Sequence, residues 1–221
     1  MNEIILQCKN LQVAYDKGVI MDNLSFELKS GETAILMGKS ACGKTSFLKA
    51  ICGIIPYRGE IKYKGRIMMM FQRPCVLPHK TAKSNIDYVT RLCGAKKQFV
   101  DELIERIEIK DLLEQYPHQL SGGELQRLSL LICLLVQPSI LLLDEPFSAL
   151  DYTTRYNIIN VLRDIKERVG LSFLIVTHTI DNIDIIGERF WYMDGNPAGL
   201  ESFATITELR DKMQKNIKEN S

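Results

Sequence analysis

The chain has 221 residues, enough for one domain with a sizeable core, and its 46% hydrophobic and 25% charged residues are ordinary for a globular protein. A formal charge of +1 argues against nucleic acid or an anionic membrane as a bulk electrostatic partner. The longest uninterrupted apolar run, Leu130 to Val136, is too short to span a bilayer, and the N-terminus lacks the basic-then-apolar order of an export signal. Six cysteines without a C-x-x-C pair then read as free thiols rather than as disulfides or a zinc site.

Taken in chain order, the pattern predicts three short strands, Ile4 to Gln7, Leu11 to Tyr15 and Leu24 to Leu28. They are separated by turns at Asp16-Lys17-Gly18 and at Lys29 to Glu32. This antiparallel region leads through a strand at Thr33 to Met37 into Gly38-Lys39-Ser40-Ala41-Cys42-Gly43-Lys44-Thr45, followed by a helix from Thr45 to Cys52. That is G-x-x-x-x-G-K-T between a strand and a helix, a phosphate-cradling loop. A turn short of Cβ atoms points backbone N–H groups at phosphate oxygens, and the helix adds its N-terminal partial positive charge. Lys44 is then placed to reach β- and γ-phosphates, and the Thr45 hydroxyl to ligate Mg²⁺. The expected ligand is a nucleoside triphosphate. Cys42, beside Lys44 and a helix N-terminus, is expected to have thiolate character, so that alkylating it would block nucleotide binding.

A turn at Pro56 to Gly59 precedes strands near Glu60 to Tyr63 and Arg66 to Phe71, the latter ending in Gln72. From Arg73 the composition changes, with Pro74, Pro78 and helical segments near Ser84 to Leu92 and Lys96 to Ile107. This reads as a helical subdomain, roughly residues 73–137, inserted in an α/β core. Ser121 with Glu124 three residues on forms a capping box for a helix from Gly122 to Gln137 that is apolar on nearly all sides after Arg127 and so buried. The continuously apolar strand Ser139 to Leu143 runs into Asp144-Glu145-Pro146. A phosphate-loop enzyme needs an acid for its metal and a group to orient the attacking water; Asp144 suits the first and Glu145, as general base, the second. A helix from Thr154 to Val169, a strand Ser172 to Thr177, a short helix Ile180 to Ile186 and a strand Arg189 to Met193 continue the alternation, which predicts a mostly parallel sheet. Residues 205–221 read as a weakly helical, peripheral tail.

Together these residues resemble the ATP-binding cassette (ABC) transporter ATPases. Leu120-Ser121-Gly122-Gly123-Glu124 is similar to that family's signature motif. It lies upstream of Leu141 to Pro146, of Ser148-Ala149-Leu150-Asp151 and of an isolated His178. Gln72 and Tyr15 fall where the family has its glutamine loop and adenine-stacking aromatic. The resemblance covers nearly the whole chain and implies a single ABC ATPase domain, residues 1–221, with a P-loop core, an antiparallel N-terminal β region and a helical subdomain.

It also implies a head-to-tail homodimer holding two ATP molecules with Mg²⁺, each between Gly38–Thr45 of one protomer and Ser121–Gly123 of the other. Glu145, His178, Gln72 and Lys44 would be catalytic, with Thr45, Gln72 and Asp144 around the metal. Tyr15, residues 38–45, Ser121, Gly122, Gly123 and Asp151 would bind nucleotide. Transmembrane permease subunits, docked near Gln72–Ser84 on the cytoplasmic face of the membrane, and a substrate-binding protein are the implied partners, with no nucleic acid. The details around Gln72 and Asp144–Asp151 look most like bacterial importers of the nitrate/sulfonate/taurine type. An exporter or lipid-extracting ATPase is the alternative, and a non-transport ABC ATPase a more distant one. Lys39, Cys42, Leu128 to Leu135 and Thr179 depart from the family pattern at positions with no catalytic role.

Overall fold

The computed structural model describes residues 3–16, 18–178 and 181–219, with side chains to residue 215. One nine-stranded sheet organises them, in the order β4-β1-β2-β9-β8-β3-β7-β6-β5. Its strands are β1 (Ile4–Tyr15), β2 (Gly18–Lys29), β3 (Thr33–Gly38), β4 (Arg58–Tyr63), β5 (Ile67–Met70), β6 (Ile140–Asp144), β7 (Ser172–Val176), β8 (Arg189–Gly195) and β9 (Ala198–Phe203). The helices are α1 (Lys44–Ile51), α2 (Ala82–Cys93), α3 (Lys97–Arg106), α4 (Gly122–Leu135), α5 (Tyr152–Val169) and α6 (Ile206–Glu219).

Strands β8, β3, β7, β6 and β5 run parallel, and β1 pairs antiparallel with both β2 and β4. The parallel strands are buried on both faces, which is why they read as continuous apolar runs. Alternate residues feed two cores: Ile35, Met37, Leu141, Leu143, Phe173 and Ile175 face the helices α2 to α5. Ala34, Leu36, Ile140, Leu142, Leu174 and Val176 pack with Phe47 and Leu48 of α1 against β1 and β2. The antiparallel wing thus folds over α1 and fixes its N-terminus at the end of β3.

The two N-terminal strands expected at Ile4 to Gln7 and Leu11 to Tyr15 are one twelve-residue strand. A bulge at Asn10, with φ 49°, supplies the break in alternation that reads as a turn. A second irregularity at Asn23 (φ 52°) likewise lets β2 begin at Gly18 rather than at Leu24. Strand β9 had no signal in sequence: its burial does not alternate, and it forms because β8 offers an edge for antiparallel pairing from Phe190–Phe203 to Gly195–Ala198. Of the expected helix from Ile180 to Ile186, Ile180 lies outside the described residues, and only a 3-10 turn, Ile183–Ile185, forms in the rest. The final segment is a regular helix whose Leu209 is fully buried against the core.

Between β5 and β6 the chain is helical. Thr81 caps α2 by accepting from the Ser84 N–H at 3.2 Å. Asn85, 2% exposed, accepts from Leu77 N (2.7 Å) and donates to the carbonyls of Leu77, Lys80 and Thr81. One buried amide therefore holds the segment after Gln72 in a fixed shape.

Candidate active site

The C-terminal ends of the parallel strands gather the polar residues at one edge of the sheet. Residues 38–45 leave β3 and close over the start of α1 with Gly38 at φ 153°, Ala41 at 62° and Gly43 at 109°. Gly38 is needed on a second count, since a Cβ there would lie 2.1 Å from the Met193 carbonyl oxygen of β8. Gly43 is the N-cap of α1 and offers no side chain, so the first N–H groups of the helix face outward without a built-in acceptor. The Lys44 ammonium donates to the carbonyls of Gly38 (2.8 Å) and Lys39 (2.7 Å), spanning the loop it serves. Ser40 and Ala41 form its exposed rim, and Lys39 reaches across to Asp194 of β8 at 3.1 Å. The Tyr15 hydroxyl lies 3.2 Å from Ser46 Oγ, which holds a half-exposed aromatic ring beside the first turn of α1.

Thr45 Oγ1 donates to Asp144 Oδ2 at 2.9 Å, linking the first turn of α1 to the end of β6. Asp144 is 2% exposed; burial pushes its carboxyl above the ordinary range, and the Thr45 hydroxyl partly offsets this. Two adjacent hard oxygens of this kind suit a small divalent cation that takes its remaining ligands from phosphate and water. Among the described residues no cluster of three His, Cys, Asp or Glu side chains could hold a metal without such help.

Glu145 follows with φ 52°, in the left-handed region, immediately before Pro146. Its amide donates to the Val176 carbonyl at 2.9 Å, and its Oε2 receives the His178 Nδ1 at 2.8 Å and the His178 backbone N–H at 3.3 Å. Nδ1 being the donor, the second ring nitrogen of the exposed His178 has no hydrogen-bond partner among the described residues. Gln72 is exposed two residues beyond Met70, whose register partner is Leu143, so it leaves the same sheet edge as Glu145.

The remaining site residues gather elsewhere. Ser121, Gly122, Gly123 and Asp151 line a separate cleft of about 340 Å³ with Glu124, Arg127 and Thr154, and none of residues 38–45 borders it. Ser121 Oγ accepts from Glu124 N and Glu124 Oε2 accepts from Ser121 N, the expected capping box. Gly123 is required by packing: a Cβ there would sit 2.9 Å from the Ala149 carbonyl. The Asp151 carboxylate is the N-cap of α5, accepting from Thr154 N (3.0 Å) and Thr154 Oγ1 (2.6 Å), which holds it below the usual carboxylate range.

One sequence reading changes here, and one residue was missed. The environment of Cys42 does not favour the expected thiolate. Burial raises its pKa, the nearby Lys44 only partly counteracts this, and the thiol donates to the Met193 carbonyl at 3.4 Å. Gln126, which carries no motif label of its own, is 4% exposed and bonds to both Glu145 and Ala149. It precedes the apolar run that starts after Arg127, so nothing in the sequence pattern singles it out.

The sequence matches the ABC transporter family over residues 21–148. It is 35% identical over 200 residues to an aliphatic sulfonates import ATP-binding protein, SsuB of Bacillus subtilis, covering 86% of this chain and 78% of that one. A Fe(3+) ions import ATP-binding protein, FbpC of Pasteurella multocida, is 33% identical, covering 80% of this chain and 55% of that one. Among solved structures, an ATP-binding cassette dimer in a post-hydrolysis state bound to ADP and Pi superposes with a TM-score of 0.81 at 26% identity, over 90% of this chain and 98% of the other. A nucleotide-free ATP-binding cassette superposes with a TM-score of 0.81 at 17% identity, a likeness of fold. With the phosphate loop, the acid pair and the glycine-led helix already in place, the chain belongs to the ABC transporter family, as one of its ATP-hydrolysing cassettes.

Proposed function

We propose that this cassette powers a bacterial small-solute importer by closing as a head-to-tail homodimer over two Mg-ATP. The observation that carries the reading is the pairing of Thr45 with Asp144 at 2.9 Å directly beside a Glu145 whose carboxylate is gripped by His178. Metal-holding oxygens and a water-activating base are then adjacent residues of one turn.

In this reading residues 38–45 wrap the phosphates with backbone N–H groups, Lys44 turns from the loop carbonyls to the β- and γ-phosphate oxygens, and Tyr15 stacks on adenine. Thr45, Asp144 and Gln72 would hold Mg²⁺, which when bound would neutralise phosphate charge. Glu145 takes the proton of the attacking water as that water adds in line to the γ-phosphorus and ADP departs. His178, fixed by Glu145 through Nδ1, offers its other ring nitrogen to the γ-phosphate. Ser121, Gly122 and Gly123 of the opposite protomer complete the phosphate shell, and Asp151 lies at the same interface.

Among the described residues no helix is long and apolar enough to cross a membrane; in this reading the energy passes to other subunits. The segment after Gln72, held in shape by Asn85, is the proposed seat for permease subunits at the cytoplasmic face, with a substrate-binding protein completing the system. The likeness does not choose the solute: relatives named for sulfonate, spermidine/putrescine and Fe(3+) import are 35%, 32% and 33% identical. Substrate choice belongs to the partners.

The test is Glu145→Gln with Mg-ATP. Hydrolysis should fall by a factor of at least about 10², while the variant becomes dimeric by light scattering only when Mg-ATP is added. A variant that stays monomeric and hydrolyses ATP at the unmutated rate would refute both the base and the composite site.

A further inference from the structure

We propose that Gln126 is a positioning residue for Glu145, a role that rests on the reading of Glu145 as the base. Glu145 is held in an uncommon backbone conformation: its φ is 52°, it is not glycine, and it precedes a proline. Such a residue keeps that geometry only if its surroundings over-determine it. Its N–H is tied to β7 through Val176, and its carboxylate to His178. Its carbonyl, the atom that sets the direction of the turn, accepts from Gln126 Nε2 at 2.7 Å, with Ser148 Oγ (3.1 Å) and Ser148 N (3.3 Å).

The same amide serves the far end of the turn. Gln126 Oε1 accepts from Ala149 N at 3.1 Å, and Nε2 also lies 3.3 Å from Ser148 Oγ. These backbone partners fix the amide orientation, because a carbonyl can only accept and an N–H can only donate. A planar group with donor and acceptor side by side is needed, and among uncharged side chains of this length only glutamine supplies it. Gln126 is buried at 4% exposure, so neither bond is exchanged for water. One helical turn earlier, Gly123 allows α4 to rest against the Ala149 carbonyl, which a Cβ would approach to 2.9 Å. The helix that opens with the Ser121–Gly123 cradle and the turn that carries Glu145 therefore move together, and Gln126 is their polar link.

The experiment compares Gln126→Met, which keeps the side-chain length and loses both bonds, in the unmutated and Glu145→Gln backgrounds. Steady-state kcat and KM, single-turnover hydrolysis, affinity for a fluorescent ATP analogue and Tm are measured on the full chain. We expect kcat to fall at least about tenfold with nucleotide affinity within about twofold, and less than about a twofold further loss once Glu145 is already glutamine. An equal loss in both backgrounds, or a loss of affinity matching the loss of kcat, would overturn the proposal. Inactive Glu145→Gln beside an unaffected Gln126→Met overturns the positioning role alone; hydrolysis surviving in Glu145→Gln overturns the base reading and this proposal with it.

Gln126→Glu guards against a variant that fails to fold. It retains size and the acceptor for Ala149 N but can donate to the Glu145 carbonyl only when protonated. Its kcat relative to the unmutated chain should therefore rise as pH is lowered, and a ratio independent of pH would count against the role.

Discussion

Two helices in this protein begin at a glycine-led turn, and they are not equivalent. Helix α1 starts at Gly43, which has no side chain to cap it, so its first N–H groups stay available to an incoming anion. Lys44, Thr45 and the neighbouring Asp144 then supply a cation, a hydroxyl and a buried carboxylate at the same place. Helix α4 starts at Ser121, whose hydroxyl is already accepting from Glu124 N while Glu124 accepts from Ser121 N. It brings no lysine, and an acid, Glu124, stands in its first turn. In the proposed reading the first cradle holds the triphosphate and the second adds contacts to a phosphate that the other protomer presents. In the head-to-tail dimer proposed above, one half of each site would be strong and the other weak, the weak half acting on closure.

The sharpest way to break this contrast is to remove charge from the strong half. Lys44→Ala should weaken binding of a fluorescent ATP analogue to the isolated protomer at least about tenfold, the loss of one charge-assisted contact to phosphate. Ser121→Ala should leave that affinity within about twofold and instead lower hydrolysis by about tenfold or more at protein concentrations where the dimer forms. If Ser121→Ala weakened protomer binding as much as Lys44→Ala, the two cradles would not differ in the way described. Because Ser121 also caps α4, a stability loss of about 1 kcal/mol accompanies the change and is read separately by thermal unfolding.

Two smaller effects sharpen the picture. The Cys42 thiol sits in the strong half, yet burial raises its pKa, so at neutral pH a thiol reagent should modify the exposed Cys75 well before Cys42. Rapid labelling of Cys42 followed by loss of nucleotide affinity would restore the activated-thiolate expectation. In the weak half, hydrogen bonds from Ser121 hold the Glu124 carboxyl below its ordinary range. A depressed folded pKa gives stability that is present above the unfolded value, near 4, and is lost as pH falls through the lower folded value. The Tm gap between the unmutated chain and Glu124→Ala should therefore be a degree or two, roughly, above pH 5 and close as the solution is acidified. A gap that widened in acid would contradict the capping box.

Whatever depends on spacing along the chain was legible in the sequence. G-x-x-x-x-G-K-T needs only its own glycines and the strand and helix around it, the Ser121–Glu124 box closes within one turn, and the buried parallel strands announce themselves as apolar runs. Tertiary structure decided whatever depends on a partner far along the chain. Strand β1 is continuous because β2 and β4 pair across its bulge, and β9 exists because β8 offers an edge. Burial raises the Cys42 pKa, and its thiol donates to the carbonyl of Met193, 151 residues away. Gln126 matters because α4 folds back onto the turn after β6, where its amide meets Glu145 and Ala149. A local motif carries its own geometry, whereas desolvation and a satisfied buried amide are properties of the neighbours that folding brings, and those neighbours have no fixed spacing in sequence.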